Sequence, residues 1–204
     1  MKHLFEKQNN FEPKEVNKMK KLTGILMIGL LALGLVGVGL AADTDTHNLT
    51  ITIPSIAWLS IVEGTGGATD VTLAIPDVST AGEEYFTSNV TDNSLYLHYT
   101  VLTSSDKKIT AQITSGTVPT ALDLTVQATV GSAGGGNQGT SAGEVTLDGG
   151  SAQDIITSIG SCWTGTNDTD GANLTYTLKM ESGYTKDQLT PTTANLVITY
   201  TITS

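Results

Sequence analysis

The chain contains no arginine, and its ten lysines are unevenly placed. Six of them precede residue 22, whereas the 163 residues from Ala42 onward carry four lysines against 17 acidic side chains, a formal net charge of −13. A polyanion without arginine repels phosphate backbones, so nucleic acids are excluded as partners. The charge favours solubility and leaves cation binding open.

Cysteine and catalytic motifs are scarce as well. The single Cys162 excludes an intrachain disulfide, and its place beside Trp163 favours a small buried hydrophobe, with an intermolecular disulfide as the alternative. A pair of Cys162 with His98 has no local sequence support. Glu83 and Glu84 are adjacent, whereas glycosidase carboxylates face each other across a cleft. We predict that the protein is not an enzyme and needs no cofactor.

The N-terminus has the three-part plan of a secretory signal. Basic residues at 18–21 precede the uncharged stretch Leu22–Leu40, which ends in small residues. We predict a signal peptide over residues 19–41 and a polar extension over 1–18, which a start at Met19 would leave untranslated. The protein is then secreted or held at the cell surface.

Two other interpretations of the apolar stretch remain open. Its 19 residues are long enough for an uncleaved membrane anchor, although five glycines lower its helix propensity. It could also follow a pilin-like leader cut at Gly24, but Thr23 stands where that leader carries a charge.

The remaining chain, residues 42–204, alternates apolar and hydroxyl-rich positions with period two. This pattern predicts one all-β domain, an antiparallel sandwich in which inner faces form the core and outer faces meet water. The expected strands contain the apolar sets at 71, 73 and 75; 95, 97, 99 and 101; 109, 111 and 113; 122, 124, 126 and 128; 174, 176, 178 and 180; and 196, 198, 200 and 202.

Two stretches between these strands are harder to interpret. Gly131–Gly143 is rich in glycine and is expected to be a flexible loop, and it lacks the Lys-Ser/Thr helix start of a phosphate site. The segment Gln153–Ile159 fits a short strand or one helical turn, and the sequence does not decide between them.

The first alternating segment differs from the others. Leu49, Ile51 and Ile53 share one face, and Pro54 then interrupts the pattern before a more continuously apolar run at 56–62. Proline cannot donate to a ladder, so it belongs at an edge or a bend. Such a strand can complete the sheet of a neighbouring molecule, and we predict that these three residues form an assembly strand.

One loop resembles the start of a calcium loop. Asn167, Asp168 and Asp170 place oxygens before Gly171, which makes Asp168 and Asp170 candidate metal ligands. Thr177 stands where the bidentate glutamate of such a loop would follow. An Asx-rich turn is therefore the competing interpretation, and calcium is the only metal that the pattern suggests.

The plan of a signal at 19–42 followed by strands such as Leu49–Pro54, Leu174–Leu178 and Leu196–Thr203 resembles small secreted prokaryotic proteins with one immunoglobulin-like sandwich. It is also similar to the donor-strand subunits of pili and biofilm fibres. The resemblance implies a structural surface protein, pilus-like, that self-associates or joins other surface proteins. The alternative is an extracellular binding module for a glycan, calcium or a surface partner.

We expect the exported protein to begin at Ala42 or Asp43, because the small residues before these positions are what a signal peptidase recognises. N-terminal sequencing or the intact mass of exported material measures this directly. A first residue of Ile25, or retention of residues 1–41 in the membrane fraction, would contradict the prediction.

Overall fold

The computed structural model describes residues 46–204, so the expected extension at 1–18 and signal peptide at 19–41 lie outside the described residues. Residues 52–204 form one compact unit, and the residues before Thr52 belong to another. Within residues 46–204, no helix combines the length and the hydropathy needed to cross a membrane.

The described residues form eleven β-strands and a single 3-10 turn, as the period-two pattern predicts for an all-β chain. The strands are β1 (Ile56–Glu63), β2 (Val90–Leu102), β3 (Lys107–Ser115), β4 (Leu122–Val130), β5 (Gly135–Gly136), β6 (Thr140–Ser141), β7 (Glu144–Thr146), β8 (Gln153–Ile159), β9 (Cys162–Trp163), β10 (Ala172–Met180) and β11 (Val197–Thr203), and the turn is Lys186–Gln188.

These strands form two antiparallel sheets, consistent with the predicted sandwich. The seven-stranded sheet has the order β5-β9-β2-β10-β4-β7, with β1 added along β2. The four-stranded sheet has the order β11-β3-β8-β6. Strand β2 is long enough to pair with β1 on one side and with both β10 and β9 on the other.

The core consists of the apolar faces of both sheets, and the inward positions expected for β2, β3, β4 and β10 are confirmed. Thr110 on β3 and Thr125 on β4, expected to meet water on the outer face, are buried as well. The inward side chains of these four strands are at most 9% exposed, apart from a half-buried Met180 at the end of β10. The buried set is Leu95, Leu97, Tyr99, Val101, Ile109, Ala111, Ile113, Leu122, Leu124, Val126, Ala128, Leu174, Tyr176 and Leu178. Removing this apolar area from water is the main stabilising term of the fold.

Two hydroxyl groups connect the sheets inside this core. Tyr176 on β10 and Tyr200 on β11 are hydrogen-bonded through their phenol oxygens. Burial raises the pKa of both phenols, so both stay protonated at neutral pH and one can donate to the other. The pair satisfies two polar groups that would otherwise be costly inside the sandwich.

The structure corrects the sequence prediction in two places and resolves it in a third. Residues 71–75 alternate between half-buried and exposed as expected, but they pair with no strand and instead pack on the core from outside the ladders. The stretch 131–143 contains β5 and β6, where a flexible loop was expected. Segment 153–159, left undecided above, is strand β8.

A pair of substitutions on β4 tests the assignment of its faces. Val126 is fully buried, so Val126→Asp places an unpaired carboxylate in the core, at a cost on the order of 5 kcal/mol, comparable with the whole free energy of unfolding. Thr129 on the same strand is exposed, and Thr129→Asp should change that free energy by less than about 0.5 kcal/mol. Thermal or urea unfolding measures both, and equal destabilisation would refute the assigned faces.

Candidate assembly surface

The expected assembly strand is exposed to solvent. We define the assembly segment as residues 49–54, and no strand is present in it. The exposed fractions of Leu49, Ile51 and Ile53 are 76%, 77% and 75%. Residues 46–55 join no ladder in the single chain, and the pairing of this segment with a neighbouring molecule stays a prediction. Three large aliphatic side chains at period two are left facing water, each of which would gain about 1.5–3 kcal/mol by burial.

Strand β11 is one edge of the four-stranded sheet, and β6 is the other. Strand β11 pairs with β3 from Val197 to Thr203, and within the described residues no strand pairs with its other side. Its inward residues Ile198, Tyr200 and Ile202 are only half-buried, and its outward threonines are exposed. A strand with unpaired N–H and C=O groups on one side is a template for a further strand.

Strand β1 is an edge of the other sheet and approaches β11, with Cα atoms of the two strands within 8 Å. Its inward residues Leu59 and Ile61 pack against the core but are also half-buried. By contrast, Ile109 and Ala111 on the interior strand β3 are fully buried. We call the set Leu59, Ile61, Ile198, Tyr200 and Ile202 the open edge, because the core is incompletely covered along it.

The two candidate metal ligands belong to a tight turn. The carboxylate of Asp170 accepts hydrogen bonds from the backbone N–H and the side-chain amide of Asn167, at 2.8 and 2.9 Å. The N–H of Asp170 in turn donates to the carbonyl of Asn167. Asp168 is exposed. Among residues 46–204 no three His, Cys, Asp or Glu side chains are grouped so as to hold a metal ion, and calcium binding stays a prediction.

The adjacent residues Glu83 and Glu84 stabilise a loop through separate interactions. Glu83 accepts hydrogen bonds from the backbone N–H groups of Ser79 and Thr80, and these bonds lower the pKa of its carboxyl. Glu84 forms an ion pair with Lys186. The two carboxylates therefore have different local partners and do not face each other across a cleft.

The only cysteine, Cys162, and His98 lie on opposite faces of the same sheet. Cys162 lies opposite Val101 with its side chain in the core, 3% exposed, whereas His98 on β2 lies between the inward residues Leu97 and Tyr99 and so faces outward. The two side chains are on opposite faces of the sheet and form no pair. Burial also raises the pKa of the Cys162 thiol, which disfavours the reactive thiolate.

Two tryptophans were missed by sequence reasoning. Trp58 is 75% exposed and Trp163 is 58% exposed, both on the outer face of the seven-stranded sheet. The run at 56–62 looked continuously apolar, which hid the alternation of Trp58 against Leu59 and Ile61. That alternation was the signal that could have placed Trp58 outside.

The thiol of Cys162 should be nearly unreactive in the folded protein, because both its burial and its raised pKa disfavour attack on a disulfide reagent. We expect labelling by 5,5′-dithiobis(2-nitrobenzoate) at pH 8 to be slow in buffer and immediate in guanidinium chloride. Fast labelling of the native protein would contradict this burial.

No protein-family model, no curated protein and no solved structure matches this chain. Its function must therefore be inferred from the chemistry of its own surfaces, of which the assembly segment and the open edge are the most unusual.

Proposed function

We propose that this chain is an exported structural subunit of the cell surface, which assembles when the assembly segment of one copy pairs along β11 of the next. The observation that carries the proposal is the exposure of Leu49, Ile51 and Ile53, each at least 75%. Soluble proteins rarely leave a regularly spaced aliphatic triplet facing water without a use for it.

The segment and the β11 edge are complementary in pattern. A strand added beside β11 would direct its three aliphatic residues toward the half-buried Ile198, Tyr200 and Ile202. Its Thr50 and Thr52 would then lie on the outer face with the exposed threonines of β11, and cross-strand threonine pairs are favourable. Backbone hydrogen bonds supply affinity in this mode, and the three apolar side chains set the register.

The proposed contact joins two different surfaces, so it does not close into a dimer. Head-to-tail contacts of this kind continue into filaments unless the rotation between subunits closes a ring. The net charge of −13 beyond the signal opposes close approach of subunits, and salt screens that repulsion. Assembly should therefore be faster at physiological ionic strength than at low ionic strength.

We also propose an immunoglobulin-like architecture at the level of strand number. The seven longer strands divide into four (β1, β2, β4, β10) and three (β3, β8, β11), as in constant-type immunoglobulin domains. The pairing order is different. In a constant-type domain the second strand lies between the first and the fifth. Here the second strand, β2, lies between β1 and β10, which are the first and the sixth of the seven. The likeness is therefore to the division of strands and not to their exact topology.

A matched pair of substitutions in the assembly segment tests the proposed function. Ile51→Asp places a charge on the face that would enter the neighbouring core, and polymers should be lost. Thr50→Asp adds the same charge on the face that would meet water, and polymers should persist. Sedimentation velocity and negative-stain microscopy of the purified exported protein measure assembly, and circular dichroism checks that both variants fold.

Deleting residues 43–53 should give a folded monomer that binds a synthetic 43–54 peptide. The same peptide with Ile51 replaced by Asp is the control and should not bind. The proposal fails if the wild-type protein stays monomeric at high concentration and if the amides of the assembly segment are protected from hydrogen exchange in that monomer.

A further inference from the structure

The two exposed tryptophans stand in one row across the outer face of the seven-stranded sheet. In the antiparallel register, Thr100 on β2 lies opposite Trp58 on β1 and opposite Trp163 on β9. Adjacent strands are about 4.8 Å apart, so the two tryptophan Cα atoms are about 9.5 Å apart with Thr100 between them. The row therefore presents one indole ring on each side of the Thr100 hydroxyl.

The ring of Trp163 packs against a glycine. Gly135 on β5 is the register partner of Trp163, and a Cβ atom built on Gly135 would lie 2.7 to 3.3 Å from three atoms of the indole. The indole thus lies directly over the backbone of Gly135, where a larger residue would lift it. An aromatic ring that is already oriented loses less conformational freedom when a ligand binds.

The side chains around the row are partly apolar and partly polar. By the alternation of β1 and β2, the register pair Ile56 and Leu102 lies beside the row on the same outer face. On the same face, β1 contributes Ser60, and β2 contributes Tyr96 and His98, since these residues alternate with the inward Leu95, Leu97 and Tyr99. The Nε2 atom of His98 is buried and has no hydrogen-bond partner in residues 46–204. The surface therefore offers hydroxyl groups beside aromatic and aliphatic side chains, and none of the outward residues named here is a lysine.

We propose that Trp58, Thr100 and Trp163 form a platform for a neutral polysaccharide. A sugar ring has an apolar C–H face, which stacks on an indole, and a rim of hydroxyls, which bond to groups such as Thr100 and Ser60. Two sugar units of one chain would stack on the two tryptophans, and the stretch between them would cross Thr100.

A protein partner fits this surface less well. Protein interfaces are built around a contiguous apolar centre, whereas here the two indoles are separated by Thr100. The pair Ile56 and Leu102 borders the row on one side, and the polar pair Ser60 and His98 borders it on the other. Acidic glycans are also disfavoured, because the chain beyond the signal carries a net charge of −13 and no basic side chain lies among the outward residues named above.

The experiment uses tryptophan emission, since Trp58 and Trp163 are the only two tryptophans of the chain. The purified protein is titrated with neutral hexasaccharides of glucose, mannose, galactose and N-acetylglucosamine, and with the acidic hexamer of galacturonate. We expect at least one neutral hexasaccharide to shift or quench the emission in a saturable way, with heat released in calorimetry, and the acidic hexamer to have no effect.

Variants assign the binding to the row. Trp58→Ala and Trp163→Ala should each weaken binding about tenfold in calorimetry, as is usual for an aromatic anchor. Gly135→Ala should weaken it as well, by lifting the indole, although it removes no contacting group. Tyr184→Ala removes an exposed aromatic residue outside the row and should leave binding unchanged.

Three outcomes would overturn the proposal. The first is no saturable change with any neutral hexasaccharide up to millimolar concentration. The second is sugar binding that survives the loss of both tryptophans. The third is self-association that is lost in the double alanine variant without any sugar binding, which would make the row a protein interface. The variants leave residues 49–54 intact, so a failure here is distinct from a failure of strand assembly.

Discussion

The packing of one apolar sheet face against another is the constraint on which the rest of the structure depends. A strand with neighbours on both sides has its inward residues fully covered, as Ile109 on β3 illustrates. A strand with one neighbour does not, and Ile198 on β11 stays half-buried. The open edge is therefore a direct consequence of the sheet ending at β11. The hydrogen bond between Tyr176 and Tyr200 links this edge strand to β10 in the opposite sheet.

The same alternation also determines the outer surface. On β1, Leu59 and Ile61 face the core, so Trp58, the residue before Leu59, faces water. On β9, Cys162 faces the core, so Trp163 faces water. The two indoles come into one row only because β1 and β9 pair with β2 at the same residue, Thr100. The row is thus a product of the register between strands that are far apart in the chain.

Period two in the sequence was enough to predict the all-β class and the inward residues of four strands, because burial and alternation are directly linked. It could not predict ladders, and residues 71–75 have the expected burial without any strand partner. The glycines at 134–136 suggested flexibility, yet a Cβ on Gly134 would lie 2.0 Å from the carbonyl oxygen of Trp163. Such a close approach requires a partner almost 30 residues away, which no local pattern reveals.

Strand β1 connects the two proposed surfaces. Its inward residues belong to the open edge, its outward Trp58 belongs to the sugar platform, and it begins two residues after Pro54 ends the assembly segment. If assembly proceeds by strand addition, every subunit of the filament carries one platform on the outer face of its larger sheet. A weak contact to one polysaccharide chain is then repeated along the filament, and linked weak sites bind far more tightly than a single one. Assembly and sugar binding would in that case be two parts of one surface function, in which the filament supplies the avidity that a single pair of tryptophans lacks.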